Sequence, residues 1–133
     1  PRLSELLPYI DYLIMDFKHP AEEVHKKITG VSNKTIRENL AKVLDSGRQI
    51  AVRIPLVHGF NDTGEALEGF LSFFGAHPSG GMTLEILPYH EYGKEKWEQC
   101  RMVYQVEDGY VSEETVKRFE AAFRDAGIRV IHT

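Results

Sequence analysis

Two hydrophobic spacings alternate along the chain. Leu3, Leu6, Leu7 and Ile10 follow a helical spacing, and Tyr12-Leu13-Ile14-Met15 is a short apolar run that ends at Asp16. That run is too short for a helix and predicts a buried strand. Pro20, Glu22 and Glu23 open a short helix, with acidic groups at its positive end, and Gly30 closes it. A longer helix follows from Ser32 or Asn33, with Ile36, Leu40, Val43 and Leu44 on one face and Gly47 as its stop. Residues 50–55 predict a second strand. Asp62 and Glu65 have the spacing of a helix N-cap and its reciprocal partner, and Leu67, Phe70, Leu71 and Phe74 form the stripe of the helix they open. Residues 77–81 read as a loop and 84–87 as a third strand. Ser112 caps a last helix, with Val111 and Val116 placed to staple its entry. Its stripe is Val116, Phe119, Phe123 and Ala126, Gly127 ends it, and residues 128–131 form a final strand. Residues 98–111 read as a surface loop.

The order β-α-β-α-β-loop-α-β predicts parallel strands with helices outside them. Two architectures satisfy it: a small doubly wound sheet, or a slice of a TIM-like β/α barrel. A slice leaves the first strand with an unpaired edge, so the barrel reading predicts further sequence upstream. The length of 133 residues fits a single domain, 1–133, and the 42% hydrophobic content is enough for a sizeable core. A net charge of −4 speaks against nucleic acid as a partner. No apolar run approaches the ~18 residues of a membrane span, and no signal peptide is present, so the expected compartment is the cytoplasm. Cys100 is the single cysteine, which excludes an internal disulfide and a cysteine-held iron–sulfur cluster on this chain alone.

In parallel β/α folds chemistry gathers at the carboxyl ends of the strands. Asp16-Phe17-Lys18 ends the first predicted strand, Arg53 lies within the second, and Pro88-Tyr89-His90 ends the third. Together these polar groups would line one mouth suited to a zwitterionic or carboxylate-bearing small molecule. Each also has a plainer role. Asp16 fits a turn cap as well as a site acid. Lys18 fits a solvated charge, and His90 a satisfied loop histidine. Arg53, flanked by Ala51, Val52 and Ile54, needs a partner if buried, and an ion pair with Asp16 or Glu85 serves as well as a ligand. His25 and His58 read as surface or loop groups, and Asn61-Asp62 as a turn and helix cap. No nucleophile–histidine–acid set, phosphate-cradling glycine loop or metal-ligand spacing stands out.

Taken together, the strings carry more. Asp16-Phe17-Lys18, His25, the Thr29–Asn33 run and Asn39-Leu40 resemble the D-x-K…H…TG-x-x-N…NL block of glycyl radical enzyme activating enzymes. Arg53-Ile54-Pro55 and Gly59-Phe60-Asn61-Asp62 resemble their R-x-P-x-x-P-G-x-N-D block, and Leu87-Pro88-Tyr89-His90 with Gly93, Lys96 and Trp97 resembles their LPYH-x-x-G-x-x-K-[WY] block. The resemblance implies a radical S-adenosylmethionine enzyme built on a (β/α)6 partial barrel, of which this chain would be the C-terminal half. It implies a 4Fe–4S cluster, S-adenosylmethionine, a glycyl radical enzyme partner of the pyruvate formate-lyase kind, and reduced flavodoxin or ferredoxin as electron donor. By motif position, Asp16, Phe17, Lys18, Arg53 and His90 would serve S-adenosylmethionine, with a monovalent cation at Asp16. His58 stands where the family has proline. The cluster motif CxxxCxxC is absent, so this chain alone is expected to be inactive. The alternative is a stand-alone, non-redox binding or scaffold domain derived from the same barrel.

Overall fold

The computed structural model describes residues 2–104 and 106–133. Helix α1 (Arg2–Leu6) runs into a 3-10 turn (Leu7–Tyr9). There follow β1 (Leu13–Asp16), α2 (Glu22–Thr29), α3 (Lys34–Asp45), β2 (Ile50–Leu56), α4 (Gly64–Ala76), β3 (Met82–Pro88), α5 (Lys94–Gln99), α6 (Glu113–Asp125) and β4 (Arg129–Val130). The strands form one sheet in the order β1-β2-β3-β4, and every pairing is parallel. The sheet does not close on itself, so the architecture is a partial β/α barrel.

Side chains alternate across a strand, so registered positions of parallel neighbours share a face. One face carries Leu13 and Met15 of β1, Ile50, Val52, Ile54 and Leu56 of β2, and Met82, Leu84 and Ile86 of β3, all within the hydrophobic core. The helices supply the other half of that core: Leu40, Val43 and Leu44 from α3, Phe70, Phe73 and Phe74 from α4, Phe119 and Phe123 from α6. The opposite face presents the row Asp16, Arg53 and Glu85, aligned across three strands.

One expected cap falls elsewhere. The N-cap of α4 is Thr63, whose Oγ1 accepts from the Ala66 N–H at 3.1 Å. Asp62 instead accepts from the Gly59 N–H at 2.9 Å and from His58 Nδ1 at 2.7 Å, closing the turn after β2. Ser112 does cap α6, accepting from the Thr115 N–H. His25 is not a surface group: it is 2% exposed, with Nδ1 donating to the Val31 carbonyl at 2.8 Å. Helix α5 lies where no helix was expected. The loop after it is lashed to the end of β3, where the hydroxyls of Tyr89 and Tyr104 lie 2.7 Å apart, and to the connection after β2, where the His58 N–H donates to the Gly109 carbonyl.

The connections after β1 and β2 are joined by a side chain. Asn61 is fully buried; its Nδ2 donates to the carbonyls of Lys18 and Pro55, both at 2.7 Å, and its Oδ1 accepts from the Val57 N–H at 2.8 Å. Asn33, also buried, donates to the carbonyls of His19 at 2.8 Å and Pro20 at 3.3 Å. Buried carbonyls stripped of their donor keep the full desolvation cost. Asn61→Ala should therefore cost about 2–4 kcal/mol in urea unfolding, and Asn61→Asp a comparable amount because a carboxylate cannot donate. A loss below about 1 kcal/mol for both would contradict this bracing role.

Candidate functional site

The carboxyl ends of β1, β2 and β3 lie along one edge of the sheet, since all three strands are parallel. Asp16 is the last residue of β1 and is exposed on the open face, in register with Arg53. Its carboxylate makes no hydrogen bond or ion pair among the described residues. Lys18 follows in the connection after β1; its backbone is pinned by Asn61 and its side chain is exposed. Beside it lies a pocket of about 360 Å3, shared with Pro55, His58 and Phe60.

Arg53 is half-buried and takes the ion pair with Glu85. Arg53 Nε donates to Glu85 Oε2 at 2.9 Å. Glu85 is 3% exposed, and its second oxygen accepts from the backbone N–H of Thr133 at 2.9 Å and from the Thr133 hydroxyl. Both oxygens of a buried carboxylate are thus satisfied, as its burial requires. The Thr133 hydroxyl, together with Arg53 and the Thr133 N–H, holds the Glu85 carboxyl below its ordinary value, against the opposing effect of burial. The pair occupies Nε and leaves the two terminal nitrogens of Arg53 outside this bond.

His90 lies two residues beyond β3. Its Nδ1 accepts from the Tyr92 N–H at 3.3 Å and its ring packs against Tyr92 with centroids 4.5 Å apart, so the neutral ring carries its proton on Nε2. Phe17 departs from this group. It is 0% exposed, and its ring sits between Phe70, Phe73 and Phe74 with centroids 4.9–6.0 Å away, on the helix-covered side. Its side chain anchors the segment that carries Asp16 and Lys18 on the other side. His58 is exposed, and Asp62 raises its pKa through their hydrogen bond.

The structure thus sets Asp16 beside Arg53 in one registered row and puts Lys18 and His90 in the connections that leave β1 and β3. Such groups suit a zwitterionic or carboxylate-bearing small molecule. An iron–sulfur cluster does not fit: Cys100 is exposed and alone, and no group of three or more potential metal ligands occurs among the described residues.

No family model matches the chain. It is 34% identical over 128 residues to the 4-hydroxyphenylacetate decarboxylase activating enzyme of Clostridioides difficile strain CD196, covering 94% of this chain and 40% of that protein. It is 38% identical over 105 residues to the indoleacetate decarboxylase activating enzyme of Tractidigestivibacter scatoligenes, covering 78% of this chain and 33% of that protein. This chain belongs with the glycyl radical enzyme activating enzymes. It spans about two fifths of the length of the curated relatives it matches. In fold it superposes on the crystal structure of a domain of pyruvate-formate lyase-activating enzyme from Bacteroides vulgatus with a TM-score of 0.79 at 22% identity, covering 97% of this chain and 71% of that one. This activating-enzyme segment thus has the partial barrel that its motif resemblance implied, one of the two architectures that fit its hydrophobic pattern.

Two of the residues that matter here, Asn61 and Thr133, carried no such role in the sequence, and Glu85 carried it as one of two alternatives. Asn61 read as a turn residue, Glu85 as one of two partners for Arg53, and Thr133 as nothing. Only Glu85 left a signal, an acid in an apolar strand at the level of Arg53.

The sign of the Glu85 shift gives a pH test. A carboxyl held below its unfolded value stabilises the fold at pH above the ordinary value of 4.5, and that stability is lost as pH falls through the lowered one. Urea unfolding of the wild-type chain should weaken in that acid range. Glu85→Gln should be less stable at neutral pH by about 1–3 kcal/mol and should show a flatter acid dependence. An unchanged acid slope in the variant would contradict the assignment.

Proposed function

We propose that this chain is the C-terminal part of a cytoplasmic radical S-adenosylmethionine activating enzyme that installs a glycyl radical on a partner enzyme. The observation that carries the reading is the alignment of Asp16, Arg53 and Glu85 on the face of the sheet that the helices leave open, in a chain homologous to activating enzymes. S-adenosylmethionine, when bound, would supply the radical chemistry; the share of this chain's residues would be binding, orientation and exclusion of water. The cluster ligands belong to sequence outside this chain.

Lys18 and the free nitrogens of Arg53 bind the carboxylate end of the cofactor. Asp16 accepts from its ammonium or ribose hydroxyls, and its remaining oxygen suits a monovalent cation. His90 meets the nucleoside through Nε2–H and a ring face. Phe17 contributes from the core by fixing the direction of the β1 end. Glu85 and Thr133 hold the guanidinium at one orientation, so that its donors need no reorganisation on binding. The partner is a glycyl radical enzyme, of the pyruvate formate-lyase kind or one of the decarboxylase kinds that the relatives' names record. Reduced flavodoxin or ferredoxin supplies the electron.

The test uses the full-length polypeptide, reconstituted with its cluster without oxygen and supplied with a strong reductant. Cleavage is followed as release of 5′-deoxyadenosine. Arg53→Ala and His90→Ala should each raise the KM for S-adenosylmethionine by about tenfold, the loss of one or two charge-assisted hydrogen bonds. Wild-type cleavage kinetics in both variants would overturn the assignment, and no cleavage by the intact wild-type protein would overturn the reaction class.

A further inference from the structure

A second cavity lies on the other side of the sheet, away from the open face. It has a volume of about 590 Å3 and is bordered by the segment after β1, by α3 and by α4. That size is in the range of small-molecule sites. Phe60 and Phe73 give it aromatic walls.

Three polar features mark it as more than a gap between helices. The first is His19, which is 5% exposed. Its Nδ1 accepts from the Ala21 N–H at 3.0 Å, so the neutral ring has its proton on Nε2, and Nε2 finds no acceptor among the described residues. Burial lowers the His19 pKa, which keeps the ring neutral and the tautomer single. The ring is held against Phe60 with centroids 5.3 Å apart, and its carbonyl is clamped by Asn33. The second is Arg37, whose guanidinium lies 5.8 Å from the Phe73 ring centroid and has no carboxylate partner among the described residues. The third is Glu65, an acid on the same cavity at the start of α4. His77, also at this cavity, already gives its Nδ1 to Asp45 at 2.9 Å and is spoken for.

The cavity does not arise from loose packing. A Cβ placed on Gly69 of α4 would come within 2.7 Å of Pro20 Cγ, so the segment next to His19 rests directly on the helix. His19 is therefore held by a close helix contact, an asparagine clamp and an aromatic neighbour, yet leaves one donor unpartnered beside an open space. That donor opens onto the cavity, where a ligand oxygen can accept from it.

We propose that this cavity is a binding site for a small aromatic carboxylate, with its carboxylate on Arg37, its ring between the aromatic walls and a polar substituent reaching the His19 Nε2–H and Glu65. The ligand class follows from an unpaired guanidinium at one border, an acid at another and apolar walls between. Since His19 directly follows Lys18, an occupant would also bear on the segment that ends β1.

The test is a titration of the isotopically labelled 133-residue chain with 3-(4-hydroxyphenyl)propionate, followed by NMR. Saturable binding in the millimolar range or tighter is expected, with shifts at Ala21, Phe60, Phe73 and the His19 Nε2 resonance. The phenol 4-ethylphenol, which lacks the carboxylate, and 3-cyclohexylpropionate, which lacks the aromatic ring and its hydroxyl, should each bind about tenfold more weakly. Arg37→Ala should raise the Kd by about tenfold and Arg37→Lys by less. The His19 resonance in the wild-type chain reports on that contact without any substitution in the packed segment. Absence of saturation up to about 20 mM, shifts that map to Asp16 and Arg53 instead, or an Arg37→Ala variant that binds like wild type would each overturn the proposal.

Discussion

Two buried asparagines hold the geometry on which both sites depend. Asn61 and Asn33 grip the carbonyls of Lys18, His19 and Pro20, three consecutive residues that leave the end of β1. A chain leaving a parallel strand has lost its ladder partners, and its carbonyls must find donors or water. Here an amide reaching across from the β2 connection and another from the start of α3 supply them. The backbone is thereby turned so that Asp16 and Lys18 are exposed while Phe17 and His19 are buried. The period-two alternation of the strand is carried beyond its last residue without a strand to enforce it.

The open face shows how a charge is kept within a sheet. Arg53 lies between Val52 and Ile54, both fully buried, yet its own side of the strand faces Asp16 and Glu85. Glu85 is the more deeply buried of the pair and needs more partners, which Thr133 provides beside β4. Arg53 keeps part of its guanidinium accessible. A charge pair with one fully satisfied member and one partly open member orients a donor without neutralising its capacity to bind.

Much of this architecture was legible in the sequence because periodicity reports burial. The stripes of α3, α4 and α6 and the short apolar runs of β1 to β3 are local patterns, and they became the elements they suggested. Helix α5 was not legible: Lys94–Gln99 contains a single apolar residue, Trp97, and so no stripe. The caps went wrong by one position at Asp62 because Thr63 is an equally good cap and the acid was needed by His58 and Gly59. Asn61 and His25 escaped for another reason. Their hydrogen bonds serve backbone carbonyls and N–H groups of turns whose shape only the fold sets, and the Asn61 bond to Lys18 spans 43 residues. The same holds for the Glu85–Thr133 contact, which joins residues 48 apart in the chain.

The proposed function requires S-adenosylmethionine to sit against the open face, bounded by Asp16, Lys18, Arg53 and His90. The most direct measurement is a crystal structure of the full-length protein with its cluster and S-adenosylmethionine bound. The account predicts the cofactor's carboxylate within hydrogen-bonding distance of Lys18 or Arg53 and its nucleoside beside His90. Cofactor density on the helix-covered side, or at the opposite end of the strands, would contradict it.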